Sequence, residues 1–336
     1  MQGIIFGGCS YTFGEGLELY TKTDKWIEQR NHVTHDKELY HDGVVDNEGT
    51  NFRLENNFGG LVGKYYNIKP IIHHHNGGCF ASALRFIDSI DSILNHKEPD
   101  KMKSWFSKGL RYDSNDWLDD NTYEFLLSKP NIKAIIIQFS CFDRDPIHFN
   151  YKCKCDTCYS TTWKPMSMAL HHLRYINEPA DDDTIKLFKI FAKKVIPSFD
   201  YEKFKKLDSH NYYNEATKLI DLLEKEIPKM VREGLELIID KLKQIEKDIA
   251  PIYFIDSWEE QSSKYLFEND YYFQKLIPLK GDDGKYYKKW TSWEKTLKSS
   301  KIMDDFPKTE NFHPSLHAHK KISESITKFI DKNTLF

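Results

Sequence analysis

The fold is decided by the opening stretch Gly3-Ile4-Ile5-Phe6-Gly7-Gly8-Cys9-Ser10-Tyr11-Thr12-Phe13-Gly14. Ile4, Ile5 and Phe6 form a short apolar run that reads as a buried strand. Two glycines follow at once. A strand ending in glycines can turn sharply and lift the next side chain clear of the backbone, as a nucleophile corner requires. Glycine also lets backbone N–H groups approach a substrate oxygen closely. Ser10 is the candidate nucleophile, against the alternative that Ser10 to Thr12 is an ordinary turn. The spacing is neither a P-loop nor a dinucleotide fingerprint: no lysine follows Gly14, and the interval from Gly8 does not give G-x-G-x-x-G.

Outward from this corner, apolar runs and helical periods alternate. Ile68 to His74 reads as a second strand, ending in His75-Asn76-Gly77-Gly78-Cys79. A helix follows from Ala81 to Leu94. Ala134-Ile135-Ile136-Ile137, within a strand from Ile132 to Phe139, is continuously apolar, as a parallel strand buried on both faces should be. Pro251 to Ile255 reads as a fourth strand and Phe273 to Leu279 as a fifth. A helix from Asn214 to Glu226 is expected to break at Pro228. A second runs from Lys229 to about Asp248, and the last, from Leu316 to about Asp331, carries Ile322, Ile326, Phe329 and Ile330 on one face. The order predicts an α/β fold, a three-layer α/β/α sandwich with a mostly parallel, flavodoxin-like sheet of about five strands. The core is expected over 1–144 and 211–336, with 20–55 a loop insertion and 145–210 an insertion or cap.

With 336 residues, 29% of them charged, and a net charge of −3, the chain lacks the basic excess a nucleic-acid binder needs. Its mean hydropathy of −0.63 and the absence of a long apolar run argue against a membrane span. No signal peptide is visible, so a soluble, cytoplasmic chain is expected. Three of the six cysteines cluster as Cys153-x-Cys155-x-x-Cys158. Three thiolates so close suit a structural zinc, with His148, His171 or His172 as fourth ligand; the alternative is reduced surface thiols. Within His73-His74-His75 only His73 and His75 share a strand face. One imidazole is expected to line the crevice.

Near the C terminus stands Glu310-Asn311-Phe312-His313-Pro314-Ser315, at a loop-to-helix junction. The spacing lets one loop deliver an imidazole and a carboxylate that fixes its tautomer. With these residues in hand the chain resembles the SGNH (GDSL-type) serine hydrolases. Gly8-Cys9-Ser10-Tyr11-Thr12-Phe13-Gly14 matches that family's first block with Cys9 in place of its Asp. Asn76-Gly77-Gly78 sits where the second block belongs, and Glu310 to His313 matches the last with Glu replacing Asp. The third block departs: its Asn slot holds Phe142, which removes a donor to the oxyanion. Ser140, Gln138 and Arg144 are the candidate substitutes, and the N–H of Gly78 or of Ala81 could hold the second oxyanion position.

The resemblance implies serine acyl transfer: Ser10 attacks, His313 acts as base and then acid, and Glu310 orients it. N–H groups of Ser10 and Gly78 would hold the oxyanion. Cys9 is the rival nucleophile, read as a packed thiol. No cofactor is needed for the chemistry. The expected substrate is a small-molecule, glycan or lipid ester. The competing readings are acyl transfer to an alcohol on the same fold, and a non-catalytic binding or structural module.

Overall fold

The computed structural model describes residues 1–8, 12, 14, 16–21, 47–73, 83, 86–87, 90–91, 93–95, 120–139, 189, 192–193, 195–207, 209–256, 260–307 and 313–333. The chain is mixed α/β, and among the described residues its main sheet has four strands, all parallel. β1 (Gln2–Gly7), β2 (Lys69–Ile72), β3 (Asn131–Gln138) and β4 (Ile252–Ile255) lie in the order β2-β1-β3-β4. Ile5 stands opposite Ile71 in β2 and Ile135 in β3, and Ile135 stands opposite Ile252 in β4. The sheet is buried on both faces. Ile4, Phe6, Ala134, Ile136 and Ile255 point to one side, and Ile5, Ile135, Ile137 and Phe254 to the other; all are fully or almost fully buried. Each such side chain contributes about 1.5–3 kcal/mol of burial free energy. This is why the central strands read as unbroken apolar runs rather than as alternation.

The first face lies beneath two helices, and α1 (Asn47–Asn56) packs beside them. The cover is α2 (Phe58–Tyr66) and the last helix of the chain, through Phe58, Val62, Ala318, Ile322, Ile326 and Ile330. Asn57 caps α2 by accepting from Gly60 N at 2.7 Å. The glycines of α2 are required by close approach: a Cβ at Gly59 would meet the Phe6 ring at 3.0 Å, and one at Gly63 would meet Pro70 at 2.7 Å. On the other face a Cβ at Gly7 would meet Ala83 at 3.2 Å. Ala83, Phe86, Ile87, Ile90 and Ile93 have helical backbone and are fully buried, which agrees with the helix expected from Ala81. α3 (Asp120–Leu127) leads into β3.

Chain contacts divide the molecule into two units, Met1–Ser104 with Asn115–Ser140 and Gln244–Phe336, and Trp105–Ser114 with Cys141–Lys243. In the second unit Asp200 caps α4 (Tyr201–Phe204), whose Phe204 ring lies 4.7 Å from that of Tyr212. Tyr212 belongs to α5 (Ser209–Leu237), a single helix of 29 residues. The expected break at Pro228 does not occur. Proline removes one N–H and crowds one carbonyl, but a long helix with packing residues such as Ala216, Leu219 and Leu235 absorbs that local loss. The chain instead turns at Ile238, before α6 (Ile239–Asp248).

The expected fifth strand is also corrected. α7 (Glu260–Glu268) is followed by α8 (Asp270–Lys275), capped by Asn269, which accepts from Tyr271 N at 3.0 Å. Tyr272 is buried against Phe254 and Phe139, at 5.2 and 5.8 Å between ring centres. The cap and this aromatic contact fix a helix over the first part of the segment expected as a strand from Phe273 onward. Of this segment Leu276 joins the main sheet only through a single parallel bridge to Phe254, and Leu279 pairs elsewhere. β5 (Leu279–Lys280) and β6 (Tyr286–Tyr287) form a separate hairpin around Gly281-Asp282-Asp283-Gly284, the turn that the sequence signals. Then come α9 (Trp290–Glu294), α10 (Ile302–Asp305) and α11 (Leu316–Lys332).

Candidate functional site

The carboxyl ends of the four parallel strands carry buried polar groups on an otherwise apolar sheet. Thr12, His73, Gln138 and Asp256 are each at most 1% exposed. Burying a polar group without a partner costs roughly 1–3 kcal/mol, and these groups are held by specific bonds. Thr12 Oγ1 donates to Gln138 Oε1 at 2.9 Å and so links the corner after β1 to the end of β3. Gly8 makes this possible, because a Cβ there would lie 2.0 Å from Thr12 Oγ1. His73 Nδ1 lies 2.8 Å from Gly8 O. A carbonyl only accepts, so Nδ1 carries the proton. The His73 ring stacks on Phe86 at 4.8 Å and is buried, so it braces the corner from β2 rather than facing open space as a crevice-lining imidazole would. Asp256 Oδ2 accepts from Trp290 N at 2.8 Å, at the start of α9.

The chain beyond the corner is anchored in turn. Gly14 and Gly16 have φ of 80° and 89°, conformations that favour glycine. They lead into a short 3-10 helix, Leu17–Thr21. Glu18 pairs with Arg53 of α1, Nη2 to Oε2 at 2.9 Å and Nε to Oε2 at 3.1 Å, with both side chains about nine-tenths buried. Tyr20 packs its ring edge-on to Phe306 at 4.9 Å. Its hydroxyl donates to Asp305 Oδ2 and accepts from Leu316 N at 3.1 Å. Burial first, and the bond to Asp305 second, hold the Tyr20 phenol well above its ordinary pKa, so it remains the donor.

His313 lies at the other end of the chain. Pro314 forms an antiparallel bridge with Lys301, and Ile302 N donates to His313 O at 2.8 Å. Ser315 caps α11: its Oγ accepts from Ala318 N at 3.1 Å and donates to Ser299 O at 2.7 Å. The first turns of α11 are also tied to the β5–β6 turn. There Asp282 accepts from Lys298 N at 2.9 Å and pairs with His317 Nε2 at 2.8 Å and Lys321 Nζ at 3.1 Å. Burial opposes ionisation of Asp282, but these donors outweigh it and hold the carboxyl down at about 2.

One residue of this region was not singled out from sequence. His319 is fully buried, and its Nδ1 accepts from Phe58 N at 3.2 Å. The neutral ring must therefore carry its proton on Nε2, a buried donor with no hydrogen-bond partner among the described residues. Burial, and after it the charge of His313, push its pKa down to about 3. The signal was available: His319 precedes Ile322 by three positions and Ile326 by seven, on the apolar stripe of the last helix.

Of the residues expected at the site, the structure describes His313 and Gln138. Ser10, Glu310, Gly78 and Ser140 lie outside the described residues, as do Cys9, His74, His75, Ala81, Phe142 and Arg144. So do Cys153, Cys155, Cys158, His148, His171 and His172. Among the described residues no group of three or more His, Cys, Asp or Glu could hold a metal ion, and no helix is long and apolar enough to cross a membrane. Compared with protein-family models, with curated proteins and with solved structures, the chain matches none.

Proposed function

We propose that the chain is a serine ester hydrolase on a three-layer, flavodoxin-like α/β frame of the SGNH kind. The observation that carries this reading is the strand order. β1 lies between β2 and β3 in an all-parallel sheet. In such an order the connections reverse between β1 and β3, which opens the crevice where ligands bind in folds of this type. Cys9 and Ser10 follow directly on β1 in sequence. The burial of both sheet faces supports three layers, and the backbone anchors around His313 suit a base that must hold its position.

The mechanism is acyl transfer through Ser10. Its Oγ attacks the ester carbonyl carbon as its proton passes to the His313 ring, and Glu310 orients and stabilises the imidazolium. The N–H groups of Ser10 and Gly78, with Ser140, hold the oxyanion. The acyl C–O bond then breaks, and the alcohol leaves with the proton from His313. Water, deprotonated by His313, releases the acid and restores Ser10. His319 supports the reading in one respect: a ring that ionises only near 3 cannot take the proton that His313 must carry. The substrate is a small-molecule, glycan or lipid ester.

Hydrolysis of short acyl esters by Ser10→Ala tests this. The rate should fall by more than about 10³-fold, since removing the nucleophile leaves only binding and oxyanion stabilisation. A fluorophosphonate probe should label the wild type at Ser10. An unchanged rate in Ser10→Ala refutes the reading, and absence of labelling favours the non-catalytic module. Product analysis with an added acceptor alcohol separates hydrolysis from transfer.

A further inference from the structure

The loop that carries His313 is tied from both of its ends to one hydroxyl group. On the upstream side, Ile302 opens α10 and donates to His313 O at 2.8 Å, and Asp305 closes α10 and accepts from Tyr20. On the downstream side, Leu316 opens α11, and its N–H donates to the same Tyr20 hydroxyl at 3.1 Å. Leu316 N is one of the first N–H groups of a helix, which have no partner within the helix itself. Tyr20 supplies that partner from a segment 296 positions away in sequence. The hydroxyl thus spans the loop as both donor and acceptor, which a phenol can do and a phenyl ring cannot.

Tyr20 is itself held in place. Its ring lies between Phe52, stacked at 6.4 Å, and Phe306, edge-on at 4.9 Å. The 3-10 helix that bears it is fixed two residues earlier by the buried Glu18–Arg53 pair. Upstream, the same segment is fixed by Thr12 to Gln138, at the end of β3. Thr12, two positions after Ser10, is therefore bonded to the end of β3, and Tyr20, eight positions further on, to Asp305 and Leu316.

We propose that Tyr20 is a positioning residue for His313: its hydroxyl holds Asp305 and Leu316, which stand on either side of His313 in the chain, and so sets the reach of the imidazole. The proposal rests on the reading of Ser10 and His313 as nucleophile and base. A displacement of about 1 Å in a reacting group can cost on the order of 10²-fold in rate. Loss of the shared hydroxyl should therefore act on the chemical step more than on binding.

The test uses the full chain, with p-nitrophenyl acetate as substrate. Tyr20→Phe should lower kcat by about 10- to 100-fold with KM changed less than about threefold. Asp305→Ala should fall to a similar level, and the double variant no further, because both remove one interaction. Asp305→Asn, which keeps an acceptor oxygen, should recover most of the activity. A purely structural tie would lower thermal stability and leave kcat of the folded protein unchanged. A second readout needs no substrate: the ¹⁵N resonances of the His313 ring should shift or broaden in Tyr20→Phe. A wild-type kcat together with unchanged ring resonances in Tyr20→Phe overturns the clamp. A wild-type rate in Ser10→Ala overturns the hydrolase reading instead, and the ring resonances still decide whether Tyr20 holds His313.

Discussion

Replacing His319 with asparagine should remove a specific part of the protein's acid sensitivity. His319 ionises near 3 in the folded chain, against 6.5 for an unperturbed imidazole, because burial first and His313 second disfavour its charge. Between these two values the unfolded chain binds a proton that the folded chain does not. Stability from this group is therefore complete above about pH 6.5 and declines as the pH falls toward 3. The slope is about 1.36 kcal/mol per pH unit, so about 2 kcal/mol is lost at pH 5. That is a large share of a typical domain stability of about 5–15 kcal/mol. Asparagine keeps an oxygen to accept from Phe58 N and does not titrate. Urea unfolding at pH 7.5 and pH 5, followed by the fluorescence of buried Trp290 and Trp293, measures the difference. The wild type should lose about 2 kcal/mol more than His319→Asn over this interval. Other titrating groups are common to both proteins and cancel in the comparison. Equal losses in the two proteins would refute the reasoning, since they would mean that His319 is accessible or charged in the folded state.

Two further outcomes follow from named contacts and a third from cysteine spacing. Arg53→Ala leaves Glu18 as a buried carboxylate without its guanidinium and should cost about 3 kcal/mol in urea unfolding at pH 7. The folded Asp282 carboxyl ionises near 2 against an ordinary 3.8, so its contribution is complete above about pH 4 and is lost as the pH falls toward 2; Asp282→Asn should flatten unfolding curves over that window alone. The Cys153, Cys155 and Cys158 cluster, read as a structural zinc site, should give about one zinc per chain by mass spectrometry on untagged protein, and loss of that metal in Cys155→Ser.

Much of the frame was legible because its signals are local. Ile4 to Phe6 and Ala134 to Ile137 are apolar without alternation, and only strands covered on both faces tolerate that. The period of Ile322, Ile326 and Ile330 marks the buried stripe of α11, and the same stripe contains His319. Where the reading failed, a local preference met a longer-range one. Pro228 has a breaker's chemistry but sits inside a helix of 29 residues. Phe273 to Leu279 reads as a strand, yet Asn269 and the contacts of Tyr272 make its first part a helix. The position of His313, just before a helix capped by Ser315, was legible in the sequence.

The sequence by itself determined the four strands of the main sheet and the buried stripe of α11, because side-chain period is a property of consecutive residues. It also determined that glycines follow β1 and that a histidine stands before the last helix. The strand order was decided only in three dimensions, because nothing local to β1 says which neighbours it will take. The ionisation of His319 was decided there too, since it depends on burial and on a second imidazole. So was the bond between Tyr20 and Asp305, 285 positions apart. Hydrogen bonds and electrostatic fields act over a few ångströms, and only the folded chain brings such distant residues within that range.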